Sequence, residues 1–260
     1  MSKGFSSFLK DTDTVLHSQY TMERYKEGLT GKHRNVADPV FTFEKPVFKK
    51  KLDLPLASTN ARASSYLKKR KLDPTKFYYA DRFKHYCNTV KPTFETTKND
   101  HSRVVIPFYS RENSLIGFQG RSLDSHVIPK YLTVMLDENS PKVYGLEKVN
   151  TDEEIYVTEG PFDSNFIGNS IAMCGSDVDL SDYNYRYIFV YDNEPRSREI
   201  VAKITKTIEE SHKVVIFPQH IREKDINDMV LSGHDIKKLL ESNTYSGLEA
   251  KLKLQTWKKV

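Results

Sequence analysis

The sequence predicts an α/β protein: a basic α+β N-terminal subdomain, then a parallel sheet covered by helices, then a short helical tail. Three observations carry this prediction. From Ile155 onward, apolar β-type runs alternate with helix-type segments, the pattern of a parallel sheet with crossover helices. Two of these runs, 155–158 and 187–191, lead directly into carboxylates. The charge is divided as well: residues 1–150 hold 26 Lys+Arg against 16 Asp+Glu, whereas residues 151–260 hold 14 against 19. A basic half joined to an acidic half suits a polyanion-binding surface beside a cation-binding one, although two ordinary solvated faces account for the split equally well.

Residues 1–30 carry apolar positions at helical spacing, through Val15, Leu16, Tyr20, Met22 and Tyr25, until Gly28 and Gly31 end the segment. Residues 31–55, with Pro39, Pro46 and Pro55, show neither helical nor strand period and read as an extended linker containing the basic cluster Lys49–Lys51. Residues 1–55 are therefore expected to form a helical and extended lead-in. The subdomain at 56–150 opens with a helix over 61–70 that ends in Lys68, Lys69 and Arg70. Asp73 is a plausible N-cap and Pro74 a first helical residue, so a second helix is expected there. Phe77, Tyr78, Tyr79, Phe83 and Tyr86 form a dense aromatic group, read as core in preference to a base-stacking surface. A hairpin follows, with strands at 103–109 and 114–119 around a turn at 110–113, and a further strand at 130–135.

The acidic half spans 151–235. Strands are expected at 155–158, 170–174, 187–191 and 213–217, with a helix over 195–211 where Ile200, Ile204 and Ile208 recur at i, i+4 and i+8. Residues 236–260 form the helical tail. No window reaches the roughly 18 apolar residues of a transmembrane helix, and the N-terminus lacks a signal-peptide apolar core. Cys87 and Cys174 are the two cysteines, which excludes a cysteine-rich zinc ribbon within this chain and predicts reduced, buried thiols in a cytoplasmic protein.

Ligands of parallel α/β sheets bind beyond the carboxyl ends of the strands. Glu159 and the pair Asp192 and Glu194 stand at two such ends, and Asp225, Asn227 and Asp228 follow a third apolar run, 213–217. Carboxylates held close together resist ionising unless a cation relieves them. A rim of oxygen ligands suits Mg²⁺, with Mn²⁺ as a substitute. The expected chemistry is metal-dependent phosphoryl transfer.

Glu-Gly-Pro-Phe-Asp at 159–163, Asp-Asn-Glu at 192–194 and Lys-Asp-Ile-Asn-Asp at 224–228 resemble the three signatures of a toprim domain. Upstream, Gly117-Phe-Gln-Gly-Arg121, Pro129-Lys-Tyr131, Tyr144-Gly-Leu146 and Tyr66-Leu-Lys-Lys-Arg-Lys-Leu72 are similar, in this order, to segments of DnaG-type primases. The resemblance covers about residues 60 to 235 and points to the RNA-polymerase core of a phage primase. It implies Glu159, Asp192 and Glu194 as catalytic residues, and Glu159, Asp163, Asp192, Glu194, Asp225 and Asp228 as the metal set. It also implies nucleotide or template contact for Arg121, Lys130, Arg103, Lys68, Lys69 and Arg70.

The implied partners are a single-stranded DNA template, ribonucleoside triphosphates, an RNA primer and a hexameric replicative helicase, in the host cytoplasm, with no membrane. The chain opens with what resembles the segment after the family's zinc ribbon, so three alternatives stand: the ribbon lies on a separate zinc-ribbon polypeptide, which would be a further partner, or the start used here omits it, or it was lost. Glu194 replaces an Asp of the family pattern and Asn227 replaces an acid. Two rivals stand beside this reading: a toprim nuclease or topoisomerase, and a non-catalytic replication module that binds DNA or a helicase.

Overall fold

The computed structural model describes residues 4–26, 52–175, 180 and 185–260. Of the linker expected at 31–55, residues 31–51, with Lys49–Lys51, lie outside the described residues. Two compact units are present, up to Val47 and from Phe48 onward. The first contains α1 (Phe5–Thr12) and α2 (Thr14–Lys26). Asp13 separates them and accepts hydrogen bonds from the backbone N–H groups of Val15 (2.9 Å) and Leu16 (3.0 Å), capping α2.

The second unit begins with α3 (Ala61–Lys69), capped by Asn60, whose side chain accepts from the Ala63 N–H at 3.0 Å. Asp73 caps only a 3-10 turn at Pro74–Lys76, where the sequence pattern suggested a full helix. The aromatic run intervenes: β1 (Tyr78–Ala80) is extended by pairing with a neighbour, and α4 (Phe83–Val90) follows. Then come β2 (Arg103–Tyr109), β3 (Leu115–Ser122) and β4 (Tyr131–Met135). Strands β1 to β4 form an antiparallel sheet in chain order. Phe77 and Phe83 are fully buried, so the aromatic group is core at its centre. Phe83 explains Gly120, because a Cβ there would sit 2.4 Å from the Phe83 ring.

The second sheet is built from β5 (Val143–Tyr144), β6 (Ile155–Thr158), β7 (Ser170–Met173), β8 (Tyr187–Val190), β9 (Lys213–Val215) and β10 (Thr244–Tyr245). Its order is β10-β9-β8-β6-β7-β5, with the four inner strands parallel and both edge strands antiparallel. Between β6 and β7 lies the one-turn α5 (Pro161–Ser164), and between β8 and β9 lies α6 (Arg198–Glu209). After β9 come α7 (Ile226–Leu231), α8 (Ile236–Ser242) and α9 (Gly247–Trp257).

Helices cover both faces, and the period of two along β9 shows why. Val214 packs with Ile200, Ile204, Ile208, Leu254 and Trp257 of α6 and α9. Its neighbour Val215 packs on the other face with Ile226, Met229, Ile236 and Leu240 of α7 and α8. The tail is thus a structural layer of the second sheet. A shared core joins the two sheets: Leu67, Phe77, Ile106 and Phe108 meet Phe162 and Ala172. Fully burying side chains of this size contributes about 1.5–3 kcal/mol each, so the sheets hold a fixed relative position. Cys87 is buried and Cys174 half-buried, and both are free thiols, with burial pushing the Cys87 thiol up to about 12. Among the described residues, no helix is long and apolar enough to cross a membrane.

Candidate active site at the carboxyl ends of the second sheet

The strand order fixes where the site lies. After β6 the chain turns towards β7, and after β8 it turns the opposite way towards β9. The β6/β8 boundary is therefore the topological switch point, where the exit loops diverge and leave a crevice. Glu159 follows β6, and Asp192 and Glu194 follow β8, so the crevice receives all three.

Each acid is held locally. Glu159 accepts a hydrogen bond from Lys203 Nζ of α6 at 2.9 Å, and Lys203 also bridges to Glu199 at 2.9 Å. Burial works against the Lys203 charge, but the bonds to Glu199 and Glu159 outweigh it and raise its pKa. Gly160 gives a tight exit from β6, since a Cβ there would lie 3.1 Å from an Asp163 carboxylate oxygen. Asp163, in α5, accepts from the Asn227 backbone N–H at 2.9 Å. Asp192 and Glu194 are bridged by Lys224, at 3.4 and 3.2 Å. Asp225 is the N-cap of α7 and accepts from the Asp228 N–H at 2.7 Å.

The electrostatics record the crowding. Burial, then repulsion from Asp225, pushes the Asp163 carboxyl up to about 7, against the pull of the Asn227 N–H. Burial and Glu159 push Asp192 up to about 6, with Lys224 opposing. Asp228 is raised by burial and by Asp225. Among the described residues, no three His, Cys, Asp or Glu side chains converge closely enough to grip a metal ion by themselves. Mg²⁺ is usually held by one or two carboxylates together with waters and substrate phosphates, not by an all-protein cage. Hard oxygen donors whose ionisation is resisted by their neighbours fit such an ion. The lysine contacts of Glu159, Asp192 and Glu194 balance the same charge.

The basic side converges on this rim. Arg121, on β3, lies with its guanidinium 4.5 Å from the centre of the Tyr131 ring, and its Nε donates to Tyr66 Oη at 3.1 Å. Tyr131 feels both Arg121 and Asp163, and burial pushes its hydroxyl up to about 12. Tyr131 packs against the shared core that contains Phe162, the residue before Asp163. Lys130 beside it is exposed. Lys68 and Lys69 are exposed too, and with Ser58, Thr59, Ser64 and Ser65 they line an open groove of about 690 Å³.

Two of the expected template residues have other duties. Arg103 is 3% exposed and donates to the carbonyls of Gly120 (2.9 Å), Lys130 (2.9 Å) and Pro129 (3.0 Å). A guanidinium buried in backbone acceptors cannot also meet a phosphate, so Arg103 leaves the template set and becomes the brace of the loop carrying Lys130. Arg70 lies over Tyr66 and Phe162, and its Nη1 donates to Asn227 Oδ1 at 2.7 Å. Asn227 returns a bond from Nδ2 to the Arg70 carbonyl at 2.8 Å. Asn227 is 1% exposed, and both ends of its amide are satisfied. The position where the family pattern has an acid is here a clamp between α3 and α7. Lys71 adds to it by donating to the Val230 carbonyl at 2.8 Å.

Four residues of the site received no role from the sequence: Tyr131 and Asn193, although both lie inside the motifs above, and Lys203 and Trp257, which lie in none. Asn193 donates from its backbone to the Lys224 carbonyl at 2.6 Å and from its amide to Ile221 (3.1 Å) and Glu223 (3.0 Å). Its Oδ1 accepts from the Trp257 indole at 3.1 Å. The tail thereby anchors the loop that bears Asp192 and Glu194. Outside the motifs, a signal was available for Lys203, as the i,i+4 partner of Glu199 on a helix.

No protein-family model matches the chain. The DNA primase of Enterobacteria phage T4 is 29% identical over 269 aligned residues, covering 97% of this chain and 78% of that protein. The Aquifex aeolicus primase structure, with zinc-binding and RNA polymerase domains, superposes with a TM-score of 0.55 at 20% identity. That match covers 72% of this chain and 57% of the Aquifex chain, so the present chain spans little over half of that protein. A DnaG primase catalytic domain bound to single-stranded DNA gives a TM-score of 0.53 at 18% identity, over 73% of this chain and 74% of that one. Fold and sequence point the same way: the second unit has the fold of DnaG primase catalytic cores. Along nearly its whole length the chain is similar to the T4 DNA primase.

Proposed function

We propose that the chain synthesises short RNA primers on single-stranded DNA by divalent-metal-dependent nucleotidyl transfer. The observation that carries this reading is Arg121 held on Tyr66 and Tyr131, with Tyr66 packed 6.5 Å from Phe162, the neighbour of Asp163, which sets a phosphate-binding cation beside a crevice of carboxylates. Glu159, Asp163 and Asp192 would hold Mg²⁺, with Glu194, Asp225 and Asp228 behind them. When bound, the ion polarises the attacking oxygen and stabilises the leaving one. Arg121, fixed by Tyr66 and Tyr131, clamps the nucleotide phosphates and can do so bidentately. Lys130 supplies a mobile charge at the same edge. Lys203 and Lys224 orient Glu159, Asp192 and Glu194 through ion pairs. The T4 relative and the single-stranded-DNA complex of a DnaG domain support this assignment. The division at residues 1–55, 56–150, 151–235 and 236–260, a replicative helicase and a zinc-ribbon polypeptide belong to the same proposal.

The test is ribonucleotide incorporation on single-stranded DNA with and without Mg²⁺. Primers that form only with the metal support the reading, and the absence of any product under both conditions sinks it. The groove of Lys68 and Lys69 is read as the template track. Single-stranded DNA binding should weaken as salt rises, with the log–log slope reduced by about 0.7 for each lysine replaced by alanine. Fluorescence anisotropy at several salt concentrations measures this, and unchanged slopes in both variants remove the groove from the track.

A further inference from the structure

Strand β3 ends at Ser122 and β4 begins at Tyr131, and the loop between them closes with Val127, Ile128, Pro129 and Lys130. Val127 is buried, whereas Ile128 is 89% exposed, the most exposed large apolar side chain among the described residues. A single exposed apolar residue is ordinary on a protein surface. The rigidity of this loop and its position set Ile128 apart.

The backbone is tied on both sides of Ile128. After it, the buried Arg103 guanidinium donates to the carbonyls of Pro129 (3.0 Å) and Lys130 (2.9 Å), and the Lys130 carbonyl also accepts from the Ser122 N–H at 2.9 Å. Before it, Val127 is anchored in the interior, and its N–H donates to the Asp124 carbonyl at 3.4 Å. Asp124 in turn pairs with Arg62 of α3. The position follows from α3. Arg62 and Tyr66, four residues apart, share one face of that helix. Arg62 holds the loop through Asp124, and Tyr66 accepts from Arg121 Nε at 3.1 Å. Ala61, Ser65 and Lys68, on the adjoining face, line the open groove. The loop therefore stands between the groove and Arg121, with the exposed Lys130 at its end.

We propose that Ile128 packs against a base of the single-stranded template. This rests on the reading of the Lys68 and Lys69 groove as the template track. A strand that leaves the groove for Arg121 comes over the loop, and phosphates drawn to Lys130 and Arg121 bring the adjacent base onto Ile128. Single strands offer unstacked base faces, and isoleucine is among the side chains that proteins press between bases. Because the loop is already fixed, little conformational entropy is lost on contact. A protein partner fits this edge less well, since a stable interface needs about 800 Å² on each side around an apolar core, and one isoleucine beside cations supplies no such core.

The test is fluorescence anisotropy of a labelled oligonucleotide with the whole chain, in chelator and without nucleotides, at several salt concentrations. Ile128→Ala should weaken binding about five- to tenfold, as expected when part of an isoleucine side chain returns to water. The log–log salt slope should not change, because no phosphate contact is lost, whereas Lys130→Ala should lower it by about 0.7. Ile128→Leu should restore the parental affinity, and the melting temperature of Ile128→Ala should match the parent's. On an abasic strand of equal length, the parent and Ile128→Ala should bind equally. Parental affinity of Ile128→Ala on the base-bearing strand, or a loss that persists on the abasic strand, overturns this proposal alone. A parent chain that binds no single-stranded DNA overturns it together with the template track.

Discussion

Primer synthesis by Glu159→Gln is expected to fall by about 10²–10⁴-fold, the range for removing a group that holds or accepts a proton at a reacting centre. The substitution conserves shape and removes only charge. Lys203, its partner at 2.9 Å, keeps Glu199 at the same distance, so no buried cation is stranded. The Glu159–Lys203 pair is partly solvated, and thermal stability should change by no more than about 1 kcal/mol. Ribonucleotide incorporation and a melting curve on the same preparation separate the two effects. Synthesis within a few-fold of the parent protein would remove Glu159 from the site.

Asp163→Asn should have the opposite thermodynamic sign with the same functional outcome. The Asp163 carboxyl is pushed up to about 7 by burial and by Asp225, whereas in the unfolded chain it titrates near its ordinary value of 3.8. A group whose folded pKa is raised destabilises the ionised fold. That penalty is absent below about pH 4, grows as pH rises, and is complete above about pH 7. Removing the charge should stabilise the metal-free protein by roughly 1–3 kcal/mol at pH 8, and hardly at all at pH 4. The asparagine carbonyl can still accept the Asn227 N–H. Primer synthesis should nevertheless collapse, because a carboxylate of the proposed metal site is gone. Denaturant unfolding at pH 8 and at pH 4 tests the sign. Equal stability of the two proteins at pH 8 would mean that Asp163 is not under strain. This stability gained at the expense of activity is expected of residues whose placement serves chemistry.

How much of this was legible before the fold was known depends on the range of the interaction. The helix over Ile200, Ile204 and Ile208 and the strands before Glu159 and Asp192 were readable because periodicity is local. Strands β1, β5 and β10, of two or three residues each, were not, because they exist only through pairing with partners far along the chain. Helix α7 was hidden behind its own cap: Asp225 reads as one more acid of a cluster until the Asp228 N–H is seen to point at it. The site divides in the same way. Acids at strand ends follow from strand order. The exchange between Arg70 and Asn227 spans 157 positions, and nothing near either residue announces it. Arg103 shows the converse failure, since a basic residue at the head of a strand looks like a phosphate contact until its acceptors are found to be backbone carbonyls.

The bond from the Trp257 indole to Asn193 has a practical consequence. Trp257 is the single tryptophan of the chain, and Asn193 lies between Asp192 and Glu194. Any ligand that draws those two carboxylates together must shift the asparagine on which the indole N–H rests. The protein therefore carries its own optical probe. Ultraviolet emission should respond when Mg²⁺ is titrated into the untagged chain, and Asn193→Ala should silence that response.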